Sequence, residues 1–413
     1  MMCFVPGLPM GLPTRWVPSK QLFDALSVIL AELEAAGVPR GHITLLNSLG
    51  THHAQSDAEL REMLGSEILD GGYHLVQHDA FTPEALWTLP ARDGPGDFRT
   101  GAGHSVRVNR ILAEADVRIF TGLIVPHNFA GFSGGPKACP TLHDAVLPAL
   151  CGFETVMENH GVANIGHPRA TWGVLEGNPV WEEMREAALR LSEVQAVPGS
   201  SAAVPGRRPA TFLVNVTINA ARQMTGVFAG GLLEAHRQGV AFVRQHAMVP
   251  VERPYDVVIT TNSGYPLDQN LYQSLKGIQA ASKIVRSGGA VVCVTACQDG
   301  LPAWGGYAGF LREAGSLEGI AAMLAQPGFQ RHDMWSVQTQ AKVLQHCDVY
   351  VQSEGLTPQQ IREALYRPVA PFSEGVQCPA FLQRLEHSYG PRVCVIPEGP
   401  ECLGFLRDEH PEW

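Results

Sequence analysis

Short apolar runs alternate with stretches of helical period along this chain, and that alternation limits the possible folds more than any other feature. Leu22, Leu26, Ile29, Leu30 and Leu33 recur at helical spacing over residues 21–36, and Gly37, Val38 and Pro39 then stop the helix. The mostly apolar run 42–49 follows as a strand, and Ser56 with Glu59 marks the start and cap of the next helix. Runs 73–77, 117–125 and 211–218 read as further strands, 106–113 continues the alternation, and 145–150, 153–161, 181–191 and 232–245 read as helical. The pattern continues with strands at 255–260, 290–295, 349–352 and 392–396. Alternation of this kind predicts an α/β protein with mostly parallel sheets flanked by helices.

At 413 residues the chain is too long for one ordinary core, and two domains are expected. The loop 249–254 places the division, giving domains at 1–248 and 249–386, with a tail at about 387–413 expected to return to the first. A net charge of −10 argues against a nucleic-acid partner, which requires a basic face. Nine cysteines, an odd number with no C-x-x-C pair, fit neither a disulfide framework nor a zinc ribbon and point to a reducing compartment, the cytoplasm. No uncharged apolar run is long enough to cross a bilayer, so neither membrane nor nucleic acid is an expected partner.

Chemistry-bearing residues gather where strands end. The run 117–125 delivers His127 and then a Gly-rich turn, with Gly134 and Gly135 able to take positive φ, closed by Lys137. His52 stands just beyond the strand 42–49, at the carboxyl end where open α/β sheets place ligands. His160 ends a helix, and neutral imidazole suits nickel, zinc, copper and iron. Gln273 and Lys276, three apart, share a helix face that could grip a carboxylate, and Trp335 opens a later helical stretch. Plainer readings stay open at this point. Arg15 reads more readily as an ordinary surface arginine than as an anion contact, while His52 is equally a helix-entry residue and His160 equally a complement to the helix dipole. Gln273 and Lys276 could form a solvated face, and Trp335 could be core packing.

The run P-H-N-F-A-G-F-S-G-G-P-K ending at Lys137, with G-T-H upstream, E-N-H downstream and Y-P-L-D-Q-N-L-Y-Q-S-L-K in the second half, resembles the nickel-dependent lactate racemase family. The motifs occur in order across most of the chain. The resemblance implies a racemase or epimerase of a small 2-hydroxy acid, with its active site in the cleft between two domains. It implies a nickel-pincer nucleotide (pyridinium-3-thioamide-5-thiocarboxylic acid mononucleotide) tethered to Lys137, nickel bound by His160, and transient contact with cofactor-biosynthesis enzymes. His52 and His127 are then the acid/base pair serving a reversible hydride transfer. Arg15, Ser133, Gly134 and Gly135 would meet the cofactor, and Arg15, Tyr272, Gln273, Lys276 and Trp335 the substrate. Three departures stand out: Leu12 occupies the aspartate position of the family's D-x-T-R motif, Ala296 stands where a glutamate is common, and the interval from Lys137 to His160 is longer than usual. The first domain also reads as shortened at its N-terminus. Two other readings are a non-catalytic relative that binds a nucleotide or hydroxy acid, and a metal-free enzyme using Lys137 as a Schiff-base nucleophile.

Overall fold

The computed structural model describes residues 2–5, 20–51, 54–137, 146–194, 209–219, 223–265, 267–302, 306–370 and 375–410. The chain divides into two compact units, one comprising Met1–Asn159 with Arg169–Val243, the other His160–Pro168 with Arg244–Trp413.

In the first unit, β1 (Met2–Val5), β2 (Ile43–Asn47), β3 (His74–Gln77), β4 (Val117–Leu123), β5 (Ala210–Ile218) and β6 (Met224–Gly230) form a six-stranded sheet ordered β6-β5-β4-β1-β2-β3. Every neighbouring pair is parallel except β5 with β6. All five residues of β2 are buried, because helices cover the sheet and leave this strand no polar face. Leu26 and Leu30 of α1 (Lys20–Ala35), with Leu60, Met63, Leu64 and Ile68 of α2 (Asp57–Leu69), pack in one core with Ile43, Leu45 and Ile119. Removing one such leucine side chain costs about 2–5 kcal/mol. The predicted cap of α2 is present: the Ser56 hydroxyl accepts from Glu59 N, and Ser56 N donates to the Glu59 carboxylate at 2.7 Å.

In the second unit, β7 (Tyr255–Thr261), β8 (Val285–Val294), β9 (Asp348–Gln352), β10 (Arg367–Pro368) and β11 (Val393–Ile396) form an all-parallel sheet ordered β10-β9-β8-β7-β11. Strand β8 begins earlier than the apolar run 290–295, since Arg286, Ser287, Gly288 and Gly289 hide its first half from a hydrophobicity pattern. A Cβ on Gly289 would lie 2.6 Å from Asp256 O, so a side chain there would collide with the neighbouring strand.

Three expectations give way to the structure. Residues 249–254 are not simply a loop, because Met248–Val251 is a strand paired in parallel with Leu403–Leu406. That ladder, with buried Leu403 and Phe405, and the pairing of β11 with β7 keep the tail in the second unit. Residues 146–150 form turns rather than a helix, held in part by a bridge between Leu147 and Lys137.

Candidate active site

In the first unit the site is built from the end of β4 outward. Pro126 and His127 pair with Phe132 and Gly131 in a short antiparallel ladder, and this fold-back buries His127. At its tip, Phe129 N and Ala130 N lie 3.4 and 3.3 Å from His127 Nδ1 and donate to it. A neutral ring that accepts these two bonds at Nδ1 carries its proton on Nε2. Asn178 caps α5 (Pro179–Glu193), and its side-chain amide donates to Phe129 O and Val174 O at 2.9 Å each, fixing the tip from below.

The following turn adopts the predicted left-handed conformations, with φ of 75° at Gly134 and 61° at Gly135. Its polar groups are turned inward. The Ser133 hydroxyl donates to Leu123 O at 2.8 Å and accepts from Val125 N at 2.9 Å. Gly135 N donates to Asn215 Oδ1 on β5 at 2.9 Å, and Asn215 Nδ2 donates to Gly122 O. His236, on α6 (Leu232–Ala247), donates from Nε2 to Ser133 O at 2.9 Å and stacks on Trp181 with ring centroids 4.9 Å apart. Burial depresses its pKa to about 4, so this ring is neutral. Ser133 and Gly135, expected to meet a cofactor, thus hold the shape of the turn. Its product is Lys137, 1% exposed, its Nζ 6.0 Å from the centre of the Phe129 ring. Asn215 and His236 carry no motif that sequence reading could use, since their role arises from packing against Gly134 and Gly135.

In the second unit, α7 (Leu271–Ser282) starts at Asn270, whose side chain accepts from Gln273 N at 3.0 Å. The helix approaches the end of β7 closely: Gly277 N donates to Asn262 Oδ1 at 2.8 Å, and a Cβ at 277 would lie 2.4 Å from Thr261 O. That approach buries Gln273 and half-buries Lys276, which removes the solvated-face reading for Gln273. Among the described residues Gln273 Oε1 is buried without a hydrogen-bond partner. Tyr272 OH accepts from Trp335 Nε1 at 3.2 Å, and burial pushes the Tyr272 phenol well above its ordinary pKa. Trp335 in turn meets the ring of His160 edge-on, with centroids 5.2 Å apart at 77°. His160 is 4% exposed and directly follows α3 (Phe153–Asn159), as its sequence position suggested. Beside this region Ala296 N donates to Asp268 Oδ2 at 2.9 Å, so the backbone of the alanine is in use even though its side chain offers nothing polar. Arg15 and His52 lie outside the described residues.

The donor chemistry bears on the metal. Among the described residues no group of three or more His, Cys, Asp or Glu side chains could cage a bare cation. A metal that arrives with its own chelating nucleotide needs one protein donor, and a buried imidazole seated against tryptophan is a suitable one. The residues present fit a group of that kind.

Two α/β units, one presenting a buried lysine at a Gly turn and the other a buried glutamine and a half-buried lysine on one helix, define a two-domain α/β enzyme. The model of the lactate racemase N-terminal domain matches residues 13–173, and that of the lactate racemase C-terminal domain matches residues 251–403. The chain belongs to the lactate racemase family and is an isomerase, a racemase. Among curated relatives, the lactate racemase of Thermoanaerobacterium thermosaccharolyticum is 28% identical over 391 residues, and that of Lactiplantibacillus plantarum 29% over 387. Each alignment covers 94% of this chain and 81% of the relative. The solved apoprotein of the Thermoanaerobacterium lactate racemase superposes with a TM-score of 0.79 at 26% identity, over 98% of this chain and 86% of that one. A Thermotoga maritima protein, 17% identical with a TM-score of 0.68 over 98% and 93%, shares the fold.

Proposed function

We propose that this racemase inverts the hydroxyl-bearing carbon of a small, lactate-like 2-hydroxy acid, using a nickel-pincer nucleotide tethered to Lys137. The observation that carries the reading is the burial of Lys137 at the end of the Gly-rich turn that follows β4. Burying an ammonium costs several kcal/mol. Conversion of that amine to a thioamide removes the charge while keeping the side chain in place. His160 is the protein donor to nickel. When bound, the group supplies a hydride acceptor for the substrate's Cα, a route that avoids the weak acidity of that C–H bond.

The chain's own residues do the rest. Gln273 and Lys276 hold the substrate carboxylate, the amide by hydrogen bonding and the ammonium by charge. His127 works at Nε2, taking the hydroxyl proton on one face or returning it; His52 does the same on the other. For His127 to accept a proton at Nε2, its Nδ1 must give up the Phe129 and Ala130 N–H groups, whose long 3.3–3.4 Å contacts make that a small loss. Arg15 contributes an anion contact to substrate or cofactor. Tyr272 and Trp335 wall the pocket and limit water. Buried free thiols such as Cys151, Cys293 and Cys347 support a cytoplasmic setting, where transient contact with cofactor-making enzymes would load the chain.

The test is the intact mass and nickel content of protein produced alongside cofactor-making enzymes, with peptide mapping around Lys137 and a racemisation screen of single enantiomers of 2-hydroxy acids. An adduct on Lys137 with about one nickel per chain and racemising activity is expected, and Lys137→Ala should lose all three. Racemisation retained by Lys137→Ala would refute the mechanism. Well-folded wild-type protein with neither adduct nor activity would favour a non-catalytic relative.

A further inference from the structure

His160 sits in a segment that interrupts the first unit in sequence yet is built into the second. One face of a single helix, α8 (Met334–His346), holds it. Trp335, Gln338 and Lys342 are spaced three and four residues apart and so share that face. Trp335 packs edge-on against the His160 ring. Gln338 Nε2 donates to Val162 O at 2.9 Å, and Lys342 Nζ donates to Ile165 O. These carbonyls belong to α4 (Val162–Gly166), a short helix whose carbonyls near the C-terminal end lack intrahelical partners, where a cation is electrostatically favoured. The approach is close enough that a Cβ on Gly166 would lie 3.2 Å from Gln338 Nε2.

We propose that Gln338 and Lys342 are positioning residues for His160: by pinning α4 to α8 near both of its ends, they set the direction in which the imidazole presents its donor nitrogen. The inference rests on the reading of His160 as the protein's nickel donor. A metal bond is directional, and loss of an outer contact that orients a ligand typically weakens the metal by 10- to 100-fold. Here the orienting contacts act on the backbone beside the ligand.

The experiment uses the full chain and the variants Lys342→Met, Lys342→Arg and Gln338→Ala. In metal-free protein, amide exchange of residues 162–166 is measured by mass spectrometry. In matured protein, nickel loss to a chelator is timed while the mass of the Lys137 adduct is followed. We expect exchange at 162–166 to rise about tenfold in Lys342→Met and Gln338→Ala, nickel loss to quicken by about 10- to 100-fold, the adduct to persist, and Lys342→Arg to restore both. Unchanged exchange would show that the contacts do not hold the segment and would overturn the inference. Faster exchange with wild-type nickel retention would overturn it too, since the segment would be held for stability alone. Wild-type protein with the Lys137 adduct but no nickel would instead refute the assignment of His160, and the inference with it; the exchange result would still report the clamp.

Discussion

Gly135→Ala tests the tether turn most directly. Gly135 has φ of 61°, a conformation that costs an L-residue about 1–2 kcal/mol. An alanine Cβ would also lie 2.5 Å from Cγ and 2.8 Å from Cβ of His236. Those atoms are near the backbone of α6, and the ring is fixed by its hydrogen bond to Ser133 O and its stack on Trp181, so it cannot swing aside. Overpacking of this kind costs about 1–3 kcal/mol, and the single variant should lose about 2–5 kcal/mol in all. His236→Ala removes the obstruction along with the hydrogen bond and the stack, so its own cost is about 2–4 kcal/mol. The double variant should therefore be less destabilised than the sum of the two singles, by the clash alone, about 1–3 kcal/mol. Urea denaturation of the four metal-free proteins supplies the cycle. Additivity within about 0.5 kcal/mol would refute the argument, because it would mean that the turn does not rest on the ring.

Other outcomes follow from the same geometry. His127→Ala should leave the Lys137 adduct and nickel in place while turnover falls by about 10²–10⁴, the usual weight of one acid/base group; unchanged turnover with full nickel would remove His127 from the mechanism. Gln273→Leu should raise KM for the hydroxy acid more than it lowers kcat, by about tenfold, as loss of one hydrogen bond to a charged group predicts. His78 and His236 both have pKa values depressed by burial from 6.5 to about 4. Their unfolded forms bind protons first, so their contribution to stability is complete above pH 6.5 and is lost as the pH falls from 6.5 towards 4. The urea midpoint should drop across that window. His78 Nε2 donates to Cys151 O and its Nδ1 accepts from Asn109, so a His78→Gln variant, which cannot gain a charge, should flatten the drop.

Periodicity made most of the fold legible. Largely apolar runs such as 43–47 and 117–123 are strands because both faces of a parallel sheet are covered, and a burial of that kind leaves a mostly hydrophobic run. Caps were equally readable, since Ser56 with Glu59 closes a local ring of hydrogen bonds. The misreadings fall where pairing is distant in sequence. Residues 248–251 pair with residues 403–406, and neither segment announces a partner so far along the chain. The first half of β8 was hidden because its polar and glycine residues gain their conformation from the neighbouring strand.

The same division governs the site. Local residue type and order picked out the candidate groups: a lysine closing a Gly-rich turn, a histidine after a strand, a glutamine and lysine one turn apart on a helix. Those are short-range properties, set by strand ends, turn glycines and helix period. What holds each group was decided by tertiary packing alone. Asn215 and His236 reach Gly135 and Ser133 from a strand and a helix far along the chain, and Gln338 and Lys342 reach Val162 and Ile165 from a helix more distant still. A hydrogen bond to a remote carbonyl leaves no trace in spacing or composition. It exists because burial favours a partner for nearly every polar group, and only the folded chain decides which groups are buried together.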